Sequence, residues 1–161
     1  MSQIKNKRIL NVILLFSIFA IITAYVVQYV LGHQPCNLCL IERIPYIFSI
    51  IIVSVCIFSN KFEKITLIIL SLTFFTLTLL SFYHFGIEQG FIKESLVCDL
   101  NIPSNELTKE DLLNQLKEMP VSCKNVTFKI FGLSLATFNI FISLILSAIT
   151  MKIFLSYEKN K

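Results

Sequence analysis

The chain has 161 residues, of which 55% are hydrophobic and 15% are charged, and its mean hydropathy is +0.77. This composition excludes an ordinary soluble domain, and the length excludes several domains. The net charge of +4 is modest and, as described below, follows membrane topology, so we expect an integral membrane protein with no nucleic-acid partner.

Four long apolar runs divide the chain. They cover residues 9–31, 40–59, 65–85 and 131–155. Each run has about the 20 residues that a helix needs to cross the hydrocarbon core of a bilayer. Backbone exposed to lipid must be helical or belong to a closed barrel. The runs therefore predict an all-α membrane protein, a bundle of four transmembrane helices that forms a single domain over residues 1–161.

The distribution of charge predicts the orientation of these helices. The first run follows a basic flank but lacks a small-x-small cleavage pattern, so we expect it to be retained as a helix. The N-terminus, the 60–64 turn and the C-terminal tail together hold eight basic residues and two glutamates. Segments 32–39 and 86–130 hold five lysines and seven acids. The positive-inside rule then predicts that both termini are cytoplasmic.

The long outer loop, 86–130, contains a segment that predicts a short amphipathic helix. Thr108 to Asp111 resembles a capping box, and three leucines follow on one helical face before Pro120. We expect this apolar face to lie on the membrane surface or on the helical bundle.

Four cysteines lie outside the apolar runs, and all four fall in the two outer segments. Cys36 and Cys39 form a CxxC motif in the short loop, and such sulfurs can form a readily reduced disulfide. Cys98 and Cys123 lie 25 positions apart in the long loop, a separation that allows a disulfide. Disulfides persist on the outer face of the membrane. Two cysteine pairs on that face suggest a relay.

The position of the CxxC motif predicts how its thiols are activated. Gly32 and Pro35 break the first helix, so the motif caps the second helix, whose dipole stabilises a thiolate and favours Cys39. Arg43 lies on the same helical face as Cys39, about one turn deeper. Its guanidinium could stabilise the thiolate or bind a polar head group. The simpler alternatives are a snorkelling Arg43 and a solvated or hydrogen-bonded Glu42.

Electrons that reach such a relay need an acceptor. The chain has four glycines and no GxGxxG motif for a flavin or a nicotinamide. Leu40 follows Cys39, which excludes a CxxCH haem attachment site. We therefore expect no metal, flavin or haem, and a lipid-soluble acceptor that approaches through the bilayer beside Arg43.

Four features of the sequence carry a resemblance to a known family. They are PCNLCLIER at 35–43, YHFGIEQG at 83–90, the pair Cys98 and Cys123, and FGLSLATFN at 131–139. Together with the order of the four helices, they make the chain similar to the DsbB family of bacterial disulfide-generating membrane proteins over nearly its whole length.

This resemblance implies a function and a role for each cysteine. Cys98 and Cys123 would form the disulfide that a periplasmic DsbA-type thioredoxin-fold oxidase attacks, with Cys98 as the mixed-disulfide partner. Cys36 would exchange with that pair through Cys123. Cys39 would be the thiolate that faces a membrane quinone, either ubiquinone or menaquinone, and Arg43 would bind and polarise the quinone. The protein would be a protein-dithiol:quinone oxidoreductase of the bacterial inner membrane.

Two other residues, His84 and Cys56, have simple structural explanations. His84 lies beside Tyr83 at the outer end of the third helix, where an interfacial aromatic cluster would explain it. The resemblance adds a cofactor-binding role for His84 near the quinone. Cys56 lies inside the second apolar run, and we expect it to pack as a small hydrophobe.

Other functions remain open from the sequence. A four-helix quinone or epoxide reductase would move electrons in the opposite direction, but such relatives usually place the loop cysteines before the CxxC motif. A non-enzymatic four-span adaptor would use both disulfides as structural staples. The CxxC motif alone could also be half of a zinc site completed by Cys98 and Cys123.

Overall fold

Among the residues that the computed structural model describes, four helices are long and apolar enough to cross a membrane. The structure describes residues 2–59, 62–93, 98, 122–124, 129–130 and 132–159. The candidate spans are Lys7–Val30, Asn37–Ser59, Glu63–Glu88 and Leu135–Ser156. The predicted all-α membrane bundle is thereby confirmed, whereas the amphipathic helix predicted near Thr108 lies outside the described residues.

The first span consists of helix α1, Ser2–Tyr25, followed by one π-helical segment, Val26–Val30. The amide of Leu31 donates to the carbonyl of Val26 at 3.1 Å, which closes the wider π-type turn. Gly32 then takes a positive φ of 72°, a conformation that glycine adopts without steric cost and that ends the helix.

The second and third spans contain three helices. Helix α2 is Asn37–Ile41, helix α3 is Arg43–Ser59, and helix α4 is Glu63–Glu88. Helix α4 extends beyond the apolar run 65–85 at both ends, because backbone hydrogen bonding continues where the side chains become polar. The chain then turns back over Gly86, whose carbonyl accepts from the amide of Phe91 at 2.9 Å.

The last helix, α5, is Leu135–Lys159 and begins later than predicted. Two short strands, β1 at Lys129–Ile130 and β2 at Leu133–Ser134, pair antiparallel before it. Gly132 has φ of 82° in the turn between them. The prediction that this helix starts at residue 131 was therefore wrong, because an apolar run does not reveal a hairpin inside it.

The long helices of the bundle pack mainly in two pairs. Helix α3 packs against α1, and α4 packs against α5. The buried apolar cluster of the bundle comprises Leu10, Ile13, Tyr46, Val53, Cys56, Leu67, Leu70, Phe74 and Leu77. Cys56 therefore packs as a small hydrophobe in this cluster. Large apolar side chains such as Phe58 are exposed on the outside of the bundle, as lipid-facing side chains are.

Small polar residues line the contact between α4 and α5. The hydroxyl of Ser147 donates to the carbonyl of Ser71 at 3.2 Å, and the hydroxyl of Thr78 donates to that of Ser143 at 2.9 Å. Small side chains let two membrane helices approach closely, and their hydroxyl groups bond across the interface. This close contact brings the outer ends of α4 and α5 together beside α2.

Candidate redox site

The CxxC motif caps the beginning of α2. Cys36 is the N-cap residue, with extended backbone angles of φ −73° and ψ 167°, and its sulfur accepts from the backbone amide of Cys39 at 3.3 Å. This confirms that the motif lies at a helix start. Cys36 and Cys39 are free thiols whose sulfur atoms lie 2.7 Å apart, so the two sulfurs are adjacent and able to react with each other.

His84, on α4, reaches the same sulfur. Its Nε2 atom lies 3.4 Å from the Sγ of Cys36, and its Nδ1 atom lies 3.0 Å from Oε1 of Glu42. Nε2 is also 3.6 Å from Oε1 of Glu88, one helical turn further along. With only 2% of its surface exposed, His84 is a buried member of the thiol site. His84 is therefore surrounded by a thiol and carboxylates, and it does not belong to an aromatic cluster at the membrane interface.

The hydrogen bonds around Cys36 lower the pKa of its thiol to about 5. The bond from Cys39 is the largest cause, burial opposes it, and the bond and charge of His84 add to the lowering. The side chain of Cys39, the amide of Cys39 and Nε2 of His84 all lie within hydrogen-bonding distance of the Cys36 sulfur. The role of Cys39 as the thiolate that faces an acceptor stays a prediction.

Glu42, at the C-cap of α2, connects the thiol site to α5. Its Oε2 atom accepts from Nδ2 of Asn139 at 2.9 Å, and the same amide donates to the hydroxyl of Ser81 at 2.9 Å. The hydroxyl of Tyr46 donates to Oδ1 of Asn139. Glu42 is only 8% exposed and bonds to Asn139 and His84. Of the solvated and the hydrogen-bonded alternatives, the hydrogen-bonded one therefore describes it.

The sequence alone did not single out Asn139 or Ser81 as parts of the site. A polar amide inside an apolar helix was the available signal, because such residues in membrane segments face the bundle interior and usually pair there. Which partner Asn139 would bond depended on the packing of α5 against α4.

Arg43, the first residue of α3, is held against α1. Its Nη1 atom donates to Oε1 of Gln28 at 2.7 Å. Its guanidinium carbon lies 5.2 Å from the centre of the Tyr25 ring, within the range of a cation–π contact. These two contacts fix the side chain beside the thiols, so a freely snorkelling arginine does not describe it.

Cys98 and Cys123 are joined by a disulfide, with their Cα atoms 5.7 Å apart. Both are buried, and they pack in one cluster with Cys36, Leu38 and Ile87. The pair implied by the family resemblance is therefore present and lies against the CxxC motif. Because disulfide sulfurs are not thiolates, a zinc site formed by all four cysteines does not describe this structure.

A cavity of about 290 Å³ joins these groups. Its polar wall includes Cys36, Cys39, Glu42, Arg43, His84, Glu88, Cys123 and Asn139. Its apolar wall includes Phe16, Phe19, Ala20, Phe138 and Ile142 from α1 and α5. Five of the six predicted site residues line this one cavity, and the sixth, Cys98, is bonded to Cys123.

The cavity fits a planar carbonyl compound with an apolar tail. Arg43 supplies fixed donors for a carbonyl oxygen, and the aromatic and aliphatic wall suits a hydrocarbon ring and chain. Oε2 of Glu88 is buried and has no hydrogen-bond partner among the residues that the structure describes. A bound polar group could satisfy this oxygen. These are the residues that would hold a quinone head group.

Four membrane-length helices that carry a CxxC motif beside a second, disulfide-bonded pair define a membrane protein of disulfide bond formation. The chain belongs to the DsbB family: the model of that family, described as disulfide bond formation protein DsbB, matches residues 6–153. The chain is also 32% identical over 165 residues to the uncharacterized protein RP370 of Rickettsia prowazekii (strain Madrid E), covering 99% of this chain and 95% of the relative. No solved structure matches the chain.

Proposed function

We propose that the protein is a quinone-dependent thiol oxidase that reoxidises a periplasmic thioredoxin-fold partner of the DsbA type. The observation that carries this proposal is the shared cavity. The CxxC thiols, Arg43, His84 and the loop disulfide meet there beside an apolar wall formed by α1 and α5. A protein dithiol outside the membrane and a lipid-soluble acceptor within it can both reach this point.

The proposed electron path begins at the loop disulfide. A thiolate of the reduced partner attacks Cys98, the bond to Cys123 breaks, and the partner's second thiol then displaces Cys98 to complete its own disulfide. The loop pair is left with two thiols and two electrons. Cys123 lies in the same buried cluster as Cys36, which supports direct exchange between the two pairs.

The loop pair is reoxidised by the CxxC pair in its disulfide form. The Cys123 thiolate attacks Cys36, the bond to Cys39 breaks, and Cys98 then displaces Cys36. The two CxxC thiols now hold the electron pair. A quinone supplies the acceptor chemistry: it takes two electrons and two protons to become quinol, while Cys36 and Cys39 lose them and form a disulfide. Arg43 orients the acceptor, and Cys39 is the thiol that we propose faces it.

Features of the sequence and the site support the proposed electron direction and location. The loop cysteines come after the CxxC motif in the chain, in contrast to the usual order in four-helix reductases. An adaptor with structural staples has no need for two adjacent free thiols beside a buried histidine. The charge distribution supports a topology with both termini in the cytoplasm and the cysteines outside, and we propose the bacterial inner membrane as the location.

The test uses the purified full chain in lipid nanodiscs with a short-chain ubiquinone or menaquinone analogue and a reduced DsbA-type oxidase. We expect quinone absorbance to fall as the partner's thiols disappear. Serine at Cys36, Cys39, Cys98 or Cys123 should lower turnover by about 10³-fold or more, since each removes a nucleophile or leaving group.

Cys56→Ala is the matched control, because this cysteine packs in the core away from the cavity. It should leave turnover close to that of the unmodified protein. Full turnover in the Cys36→Ser/Cys39→Ser double variant would contradict the proposal. Inert disulfides with no quinone consumption would favour the adaptor, and net reduction of the partner by quinol would favour the reductase.

A further inference from the structure

A buried row of polar side chains leads from α5 to the reactive sulfur. Asn139 donates to Glu42 at 2.9 Å, Glu42 lies 3.0 Å from Nδ1 of His84, and Nε2 of His84 lies 3.4 Å from Sγ of Cys36. Glu42, His84 and Cys36 are 8%, 2% and 6% exposed. Thiol exchange and quinone binding do not by themselves require the Glu42 end of this row.

We propose that His84 is a catalytic residue that exchanges the proton of Cys36 in each turnover, and that Glu42 is the positioning residue that fixes His84 for this task. The proposal rests on the proposed function and extends it from the path of electrons to the path of protons. It assigns a role to Glu42 that differs from binding the acceptor.

The geometry of Glu42 determines which nitrogen of His84 faces the sulfur. An ionised carboxylate only accepts hydrogen bonds, so Oε1 of Glu42 requires a proton on Nδ1 of His84. Nε2 is then the atom that takes up or returns a proton at Cys36. This is the arrangement by which a buried carboxylate orients a histidine base toward a nucleophile in hydrolases.

Glu42 is itself held in one orientation. Asn139 gives one amide donor to Glu42 and one to Ser81, and its carbonyl accepts from Tyr46. Three elements, α3, α4 and α5, thereby determine the position of one carboxylate. A network that served only to join helices would not need to end on a redox-active thiol.

The proton balance of the quinone step fits this role. Cys36 reacts as the thiolate that its lowered pKa favours, with its proton held on Nε2 of His84, and Sγ of Cys36 bonds to Sγ of Cys39. A bound quinone would take the two electrons released when this disulfide forms, together with the two protons of the thiols. When Cys36 is instead displaced as a thiolate from the loop pair, Nε2 of His84 takes up a proton again and donates it as a hydrogen bond to the sulfur.

The other ionisable groups around His84 belong to the same cavity. Cys39 and Glu42 face it from α2, Glu88 lies one turn along α4, and Arg43 and His33 line the cavity wall. On the side of α5, the polar groups are the neutral Asn139 and Ser134. A measurement made directly on the Cys36 sulfur separates its proton exchange from the titration of these groups.

The test measures the pH dependence of alkylation of Cys36 by iodoacetamide, without quinone or partner. The parent carries Cys39→Ser, Cys56→Ala, Cys98→Ser and Cys123→Ser, so Cys36 is the single thiol, and Cys39→Ser keeps a hydroxyl donor beside it. We expect Glu42→Gln to raise the midpoint of the profile by about 1 to 3 pH units. A neutral glutamine no longer stabilises the protonated His84 that faces the Cys36 thiolate, so the thiolate loses its charged partner. His84→Gln should raise the midpoint as far, and the double variant no further, because both act through one group.

Glu63→Gln is the matched control. Glu63 is a buried carboxylate like Glu42, but it lies at the start of α4, at the other end of that helix from His84. This variant should leave the midpoint unchanged. In the chain with all cysteines intact, Glu42→Gln should lower quinone-dependent turnover by about 10² to 10⁴-fold, and Glu42→Asp should restore part of it.

A parent-like alkylation profile in His84→Gln, or in a folded Glu42→Gln variant, would overturn the proposal. If Glu42→Gln does not fold, His84→Gln and Glu42→Asp provide the same comparison. A shifted profile in a protein that never reduces quinone would contradict the proposed function and leave the coupling of Glu42, His84 and Cys36 standing. The two failures are therefore distinguishable.

Discussion

At the scale of single residues, Arg43 shows how a costly charge near lipid is stabilised by its neighbours. Gln28 accepts from its guanidinium at 2.7 Å, and the Tyr25 ring lies 5.2 Å away. The planar guanidinium presents several donors in a fixed arrangement, whereas a lysine ammonium is a single point charge on a flexible stem. A site whose acceptor binds to the planar guanidinium of Arg43 should therefore work less well with a lysine at this position.

We predict that Arg43→Lys raises the KM for a quinone analogue by about tenfold, the effect of losing about 1.4 kcal/mol of binding. The kcat should change less, because the contact with the acceptor exists before electron transfer. Steady-state assays over a range of quinone concentrations measure both constants. Arg8→Lys, at an exposed position near the start of α1, is the control, and an unchanged KM in Arg43→Lys would argue against a quinone contact.

At the scale of elements, the contact between α4 and α5 determines where the site is assembled. Ser71, Ser143 and Ser147 are almost wholly buried there, which lets the two helices approach closely. Because the two helices are so close, Asn139 on α5 donates a hydrogen bond to Ser81 on α4. Small residues in an apolar helix are therefore as informative about the fold as the large ones that face lipid.

We predict that Ser147→Leu destabilises the protein by about 1 to 3 kcal/mol, the usual cost of overpacking a closely packed contact. It also removes the hydroxyl that donates to Ser71. Thermal unfolding in detergent measures the loss. Ala148→Leu adds similar volume at the next, outward-facing position and should be tolerated, so equal losses in both variants would contradict this role of the interface.

At the scale of the whole molecule, basic residues are concentrated at one end of the bundle and the cysteine pairs at the other. Eight lysines and arginines lie in the segments that contain the two termini and the 60–64 turn. Positive charge is retained on the cytoplasmic side during insertion. We therefore expect the exchange site to open toward the compartment in which disulfides persist.

We predict that a membrane-impermeant maleimide labels Lys93→Cys in intact spheroplasts and does not label Lys7→Cys. Both positions are exposed, so a difference in labelling reports the side of the membrane. Cys36→Ser, Cys39→Ser and Cys56→Ala remove the free thiols, while the loop disulfide stays intact. Permeabilised cells should show labelling at both positions, and labelling of Lys7→Cys alone in spheroplasts would mean the opposite orientation.

Much of the fold and part of the site could be predicted because they depend on local sequence. Span number and length follow from runs of apolar residues, and the break at Gly32 follows from its backbone freedom. The CxxC motif had to cap a helix, because Gly32 and Pro35 precede it. The start of α5 was the exception, since a hairpin turn at Gly132 interrupts an otherwise apolar segment.

The apolar runs and the cysteine positions are sufficient to predict a four-helix membrane bundle with two cysteine pairs on one side. Which thiol receives the hydrogen-bond donors, and which polar residues surround it, depend on how the helices pack. Cys36 and His84 are 48 positions apart, and Glu42 and Asn139 are 97 apart. No local periodicity connects such residues, because their contacts arise only when α2, α4 and α5 pack around one cavity.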